Sequence, residues 1–229
     1  MDAPRLMNTS HRLTVIGRTG TGKTVAGVYQ LSRRDLKKEK WVILNFKGDE
    51  LIDSIDRAQH IDYDWSPPHK SLLSRLFRVN TNDGGLFVLH PSPHDKKELE
   101  DFLWRIWENG NVGIFADEGY MLSGSEAFET ILTQGRSLKI PVIACTQRPV
   151  WVSRFVFSEA DFFQLFDLND RRDWQTVEAF MPRLEGDVLP AFNSWYYDVA
   201  RKDLFQFSPV PPPDEIRATI NAQLFSRKI

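Results

Sequence analysis

Short apolar runs alternate along the chain with longer amphipathic ones. His11–Gly17 (HRLTVIG) is a β-branched run closed by glycine, and Gly22–Lys37 follows with helical character. Lys40–Phe46 (KWVILNF) predicts a second strand, ended by the turn signal Lys47-Gly48-Asp49. Residues 60–75, with Trp65-Ser66-Pro67-Pro68, read as irregular. Leu86–His90 is a third strand, stopped by Pro91 and Pro93, and Asp95–Glu108 is a helix with Leu99, Phe102, Leu103 and Ile106 on one face. Val112–Ala116 is a fourth strand, Glu126–Leu138 a helix, and Ile140–Thr146 a fifth strand.

Several of these strands are apolar throughout rather than alternating, the pattern of strands buried on both faces of a parallel sheet. Strands separated by helices give an α/β layered fold, a mostly parallel central sheet flanked by helices with right-handed crossovers. Beyond Pro149 the pattern loosens. Asp161–Phe166 fits another strand, Asn169–Phe180 a helix, and Trp195–Phe207 a hairpin turning near Arg201-Lys202-Asp203. Ser208-Pro-Val-Pro-Pro-Pro is a stiff spacer. A last helix, Asp214–Phe225, carries Ile216, Ile220 and Leu224 on one stripe, which packs on its own domain or docks on a partner. The expected organisation is one domain over residues 1–207, with a Pro-rich linker and C-terminal helix over 208–229.

Composition narrows the partners. A net charge of −2 over 229 residues provides no general basic field, so any contact with nucleic acid must be local. Seven Trp and sixteen Phe point first to a large core plus some interface, ahead of nucleic-acid stacking. Cys145 is the only cysteine, which excludes an intrachain disulfide. The segment MDAPRLMNTSHR has no apolar core of a signal peptide, and no apolar run reaches the roughly 18 residues of a membrane span. A soluble, cytoplasmic protein is expected.

The chemistry begins at residues 17–24, GRTGTGKT, which satisfy G-x-x-x-x-G-K-[ST] between a strand and a helix. Glycines let such a loop wrap so that successive backbone N–H groups face phosphate oxygens, and the helix N-terminus adds its positive end. Gly17, Arg18, Thr19, Gly20, Thr21, Gly22, Lys23 and Thr24 are therefore the expected ATP site. Lys23 reaches the β- and γ-phosphates, and the Thr24 hydroxyl ligates Mg²⁺.

Asn111–Glu118 (NVGIFADE) is a hydrophobic strand ending in two acids. Asp117, carried to the carboxyl edge of the sheet, is placed to hold Mg²⁺, and Glu118 to deprotonate the attacking water. Asp117 follows Lys23 by 117 − 23 = 94 positions, room for two further strands with their helices. That insertion and the catalytic Glu point to ATPases rather than GTPases, and no N-K-x-D guanine-reading motif is present. Gln147, at the end of the next strand, is placed to bond the γ-phosphate or the lytic water. Arg136, at the end of the preceding helix, fits a finger reaching a neighbour's γ-phosphate. Arg148 is its main rival and Arg154 a weaker one.

GRTGTGKT, the strand ending Ala116-Asp117-Glu118, Gly135-Arg136 and Thr146-Gln147-Arg148-Pro149 together resemble the FtsK/HerA superfamily of DNA-pumping ATPases over roughly residues 11–150. Asn45-Phe46-Lys47-Gly48-Asp49 is similar to a D-P-K-G-[DE] string of many relatives, with Asn45 and Phe46 in place of Asp and Pro. The small size looks most like genome-packaging ATPases of tailless icosahedral phages with an internal membrane. That resemblance implies a RecA-like core, a homo-oligomeric ring at a capsid vertex or portal, and double-stranded DNA as substrate, in the host cytoplasm or on the virion. ATPases of secretion or filamentous phage extrusion stay open as an alternative, as does a nucleotide or small-molecule kinase from a different class. Arg33, Arg34, Lys37, Lys38 and Lys40 form a basic cluster, read first as a solvated helix end. The loops after Asp117–Tyr120 and around Trp151–Arg154 are candidates for a pore.

Overall fold

The computed structural model describes residues 3–61, 76–77, 84–92, 94–184 and 189–225. The apolar runs pair into one sheet. Its strands are β1 (Arg12–Ile16), β2 (Lys40–Leu44), β3 (Gln59–Ile61), β4 (Gly85–Leu89), β5 (Val112–Ala116), β6 (Val142–Thr146), β7 (Phe162–Leu165), β8 (Ser194–Asp198) and β9 (Asp203–Phe207). The order is β3-β4-β2-β5-β6-β1-β7-β8-β9. Every pairing from β3 to β7 is parallel, and the β8–β9 hairpin continues the sheet antiparallel. The mostly parallel α/β sheet of a RecA-like P-loop protein is thus present, extended by the expected hairpin.

Helices cover both faces. On one face α3 (Lys96–Asn109) buries Leu99, Phe102, Leu103 and Ile106, and α4 (Glu126–Gln134) buries Phe128, Ile131 and Leu132. The short α5 (Phe155–Ser158) and α6 (Arg171–Glu178) complete that layer with Val156, Phe157 and Val177. On the other face lie α1 (Lys23–Ser32), α2 (Glu50–Asp53) and α7 (Pro213–Phe225). The aromatic excess is mostly core: Trp41, Phe102, Phe115, Phe128, Phe157, Phe162, Phe163 and Tyr196 are fully buried.

The stripe Ile216, Ile220 and Leu224 is buried in the layer that α1 occupies, so it packs on its own chain. That packing also explains why α1 ends at Ser32 and not at Lys37. Gln223 Nε2 donates to the Ser32 carbonyl at 2.6 Å, while its Oε1 accepts from the Leu36 N–H at 3.0 Å. The α7 side chain thus satisfies backbone groups that further helical turns would have paired. The expected irregular stretch 60–75 contributes residues 60 and 61 to β3, and the rest lies outside the described residues.

Candidate nucleotide site

The site forms where three adjacent parallel strands, β5, β6 and β1, end together. β6 runs between β1 and β5, so Gly17, Gln147 and Asp117 emerge side by side at the carboxyl edge, where open α/β sheets bind ligands. The loop is pinned at its start: the Gly17 N–H donates to Thr146 O at 3.1 Å and the Arg18 N–H to Asp167 O at 3.0 Å. Gly17 sits too close to its neighbours for a side chain, since a Cβ would lie 2.6 Å from Thr21 Oγ1 and 2.7 Å from Phe166 Cβ. Gly22, at φ 89°, turns the loop into α1 through left-handed backbone that a β-carbon disfavours. The N-terminal amides of α1 then face the loop's concavity.

Across this loop Thr24 Oγ1 donates to Asp117 Oδ1 at 3.0 Å. Asp117 is only 1% exposed, and burial pushes its carboxyl up to about 6 despite the Thr24 hydrogen bond. Nearby Asp49 and Glu118 push in the same direction, and Lys23 opposes them. A carboxylate held in such an environment favours an adjacent cation. Glu118 is equally buried at 1%; one oxygen lies 3.9 Å from Lys23 Nζ, and the other, Oε2, is buried with no hydrogen-bond partner. Thr19 Oγ1 donates to Gln147 Oε1 at 2.5 Å, which ties the end of β6 to the phosphate loop.

No known family model matches the chain. It is, however, 43% identical over 226 residues to the DNA packaging ATPase P9 of Enterobacteria phage PRD1, covering 93% of each chain. The chain belongs to the P9 family of packaging ATPases. The fold agrees with solved structures at lower identity. It superposes on the genome packaging NTPase B204 of Sulfolobus turreted icosahedral virus 2 with a TM-score of 0.66 at 16% identity, over 90% of this chain and all of that one. The conjugative coupling protein TrwB gives 0.61 at 13% identity over 88% and 85% of the two chains. VirB4 of Thermoanaerobacter pseudethanolicus gives 0.63 at 10% over 90% of each. The relative shows the family, and these solved structures share the fold.

In this P9-family chain the loop, Asp117, Glu118 and Gln147 come together, and Arg136 does not. Its guanidinium pairs with Asp161 Oδ1 at 2.9 Å, and the other Asp161 oxygen accepts from the Arg12 N–H at the start of β1. Arg136 thus stands at the amino edge of the sheet, opposite its own phosphate loop, 51% exposed. Arg148 lies at the carboxyl edge but is engaged: it pairs with Asp170 at 3.0 Å and Asp173 at 3.1 Å and lies over the Trp151 ring. Arg154 lies over Phe180.

Sequence reasoning missed Lys47. Its Nζ bonds the same Glu118 oxygen that faces Lys23, so two lysines flank the buried carboxylate. Asn45 explains how Lys47 gets there. The Asn45 amide accepts from the Asp49 N–H at 2.9 Å and donates to Asp53 at 2.8 Å, and Asp49 in turn caps α2. The amide therefore folds the N-F-K-G-D turn back over the edge. The string's likeness to D-P-K-G-[DE] was the available signal. The basic cluster after α1 is largely occupied locally, with Arg34 on Glu39, Lys38 on Asp35 and Arg33 on Tyr29.

Proposed function

We propose that this chain is the motor that hydrolyses ATP to drive double-stranded DNA into a viral capsid. The observation that carries the reading is the buried pair Asp117 and Glu118 facing a formed phosphate loop, in a chain 43% identical to a DNA packaging ATPase. That kinship also weighs against the kinase, secretion and extrusion readings.

In this reading the loop amides and Lys23 hold the β- and γ-phosphates. Thr24 Oγ1 and Asp117 Oδ1 are two hard oxygen donors 3.0 Å apart beside the loop, a set that fits Mg²⁺. Bound there, Mg²⁺ would neutralise phosphate charge. Glu118 takes a proton from the attacking water on its unpartnered Oε2, while Lys47 and Lys23 fix the other oxygen. Gln147, tethered to Thr19, orients that water or the γ-phosphate.

A ring completes the site. Arg136 cannot serve its own nucleotide from the opposite edge, but head-to-tail packing presents it to a neighbour's. Leaving Asp161 costs little, because an exposed ion pair is worth roughly 0–1 kcal/mol. The two candidate pore loops form one surface, with Tyr120 and Trp151 ring centroids 6.1 Å apart and Trp151 57% exposed. That surface meets DNA or the next subunit. Among the described residues no helix is long and apolar enough to cross a membrane. A capsid vertex or portal is the proposed place of work, on the virion or in the host cytoplasm.

The test is ATP hydrolysis by the purified protein with and without double-stranded DNA, followed together with assembly state by light scattering. DNA-stimulated turnover in ring-sized particles is expected, with Glu118→Gln binding ATP but turning it over extremely slowly. Hydrolysis that needs a small-molecule phosphate acceptor would overturn the motor reading.

A further inference from the structure

Three donor side chains meet on the β3–β4 side of the sheet, apart from the phosphate loop. His60 lies in β3, His90 directly follows β4, and Asp53 ends α2. The strand register explains why they meet. In the parallel β3–β4 pair His60 stands opposite Val88 and shares its face, and His90 comes two positions after Val88, on the same side. Val88 packs in the layer that holds Leu51 and Ile52 of α2, so both imidazoles project toward α2 and meet Asp53 at its end.

One donor atom from each residue lies within 4.8 Å of the others, and His90 Nε2 stands 3.4 Å from Asp53 Oδ1. The two rings stack with centroids 6.3 Å apart. Further contacts hold the donors from behind. His60 Nε2 lies 3.2 Å from the Ile55 carbonyl, which can only accept, so that nitrogen carries the hydrogen and Nδ1 the lone pair. Asp53 Oδ1 accepts from the buried Asn45 amide at 2.8 Å. Such outer partners orient metal ligands. Core packing does not account for the group, because Asp53 and His60 are exposed and His90 is half-buried. Nor does a hydrogen bond between His90 and Asp53, which 3.4 Å makes a poor one.

We propose that His60, His90 and Asp53 form a zinc site, independent of the nucleotide reading. Two imidazole nitrogens and one carboxylate oxygen suit zinc, whereas Mg²⁺ takes oxygen donors. Tetrahedral ligands at about 2.0–2.1 Å from zinc lie roughly 3.4 Å from one another. His90 and Asp53 already stand at that separation, and rotation of the exposed His60 ring closes the rest. Water fills the fourth position. Zinc here ties β3, β4 and α2 together. Through Asn45, which also accepts from the Asp49 N–H at 2.9 Å, it braces the turn that carries Lys47.

Calorimetry of the untagged full chain with zinc chloride tests this, in excess Mg²⁺ to occupy sites made of oxygen alone. One equivalent should bind. His60→Gln, His90→Gln and Asp53→Asn should each weaken binding by more than the roughly 10–100-fold that an outer partner is worth. Asp53→Asn keeps an oxygen to accept from Asn45, so the turn is preserved. X-ray absorption at the zinc edge needs no variant to fold, and on the wild-type complex it should show two imidazoles in the shell. Zinc should also slow hydrogen exchange at the Asp49 amide, and unchanged exchange would overturn the brace. No binding by wild type, an all-oxygen shell, or full affinity in the His60→Gln, His90→Gln double variant overturns the site. ATP-analogue binding by that double variant without zinc should match wild type, so the zinc site and the phosphate loop stand or fall separately.

Discussion

Asp117 is where function and stability pull apart, and Asp117→Asn exposes the conflict. Burial raises the Asp117 carboxyl from 3.8 to about 6 in the folded protein. Between those values the folded state holds a proton that the unfolded chain has released, so stability falls as pH rises through the window and stays low above it. That pKa rise corresponds to about 3 kcal/mol at pH 8, about half of that at pH 5, and little below pH 4. Asparagine carries no charge and can still accept from Thr24. The variant should therefore be more stable than wild type at pH 8 by up to about 3 kcal/mol, a rise of roughly 6–12 °C in melting temperature for a chain of this size. At pH 5 the gap should halve. Urea or thermal unfolding of both proteins at the two pH values, without nucleotide, is the assay. Mg²⁺ with a non-hydrolysed ATP analogue should then stabilise wild type far more than the variant, because binding to the folded state alone adds stability by mass action. An Asp117→Asn protein equal to or less stable than wild type at pH 8, or a gap independent of pH, would refute the buried-carboxylate account.

Lys47→Met should lower kcat roughly ten- to a hundredfold with nucleotide affinity nearly unchanged, because it frees the Glu118 carboxylate to move away from the attacking water; Lys47→Arg should recover part of the loss, and an unchanged kcat would remove Lys47 from the site. Arg136→Ala should change monomer stability by less than about 1 kcal/mol in urea titrations, since its ion pair is exposed. Doped into wild-type rings, it should depress ATP turnover more than in proportion, and a linear loss would place its role within its own subunit. Gly17→Ala should destabilise the fold by about 1–3 kcal/mol and abolish ATP binding in calorimetry, because the new methyl has no room against Thr21 and Phe166.

The parts of this site that are local in sequence were legible in it. GRTGTGKT places eight consecutive residues, and a hydrophobic strand that ends in Asp117 and Glu118 must deliver both to one edge. Apolar strands without alternation likewise announced a parallel sheet. What remained hidden depends on contacts between distant segments. β6 lies between β1 and β5 only because of strand order, and that order alone decides that Gln147 touches Thr19. The end of α1 is set by Gln223, almost two hundred residues later, and no local propensity reports it. Lys47 reaches Glu118 through a turn organised by Asn45, a buried amide whose partners appear only in three dimensions. Arg136 looked close to the chemistry because β6 follows it, yet a parallel strand begins at the edge opposite the one where it ends.

The central claim is that hydrolysis at this site moves the protein along double-stranded DNA. Displacement of a triplex-forming strand from a linear duplex measures that directly. The purified protein, assembled with its capsid vertex where it does not form rings alone, should strip the third strand with ATP. It should fail to do so with Glu118→Gln or with a non-hydrolysed analogue. ATP turnover that proceeds on the same duplex while the third strand stays bound would contradict the motor account.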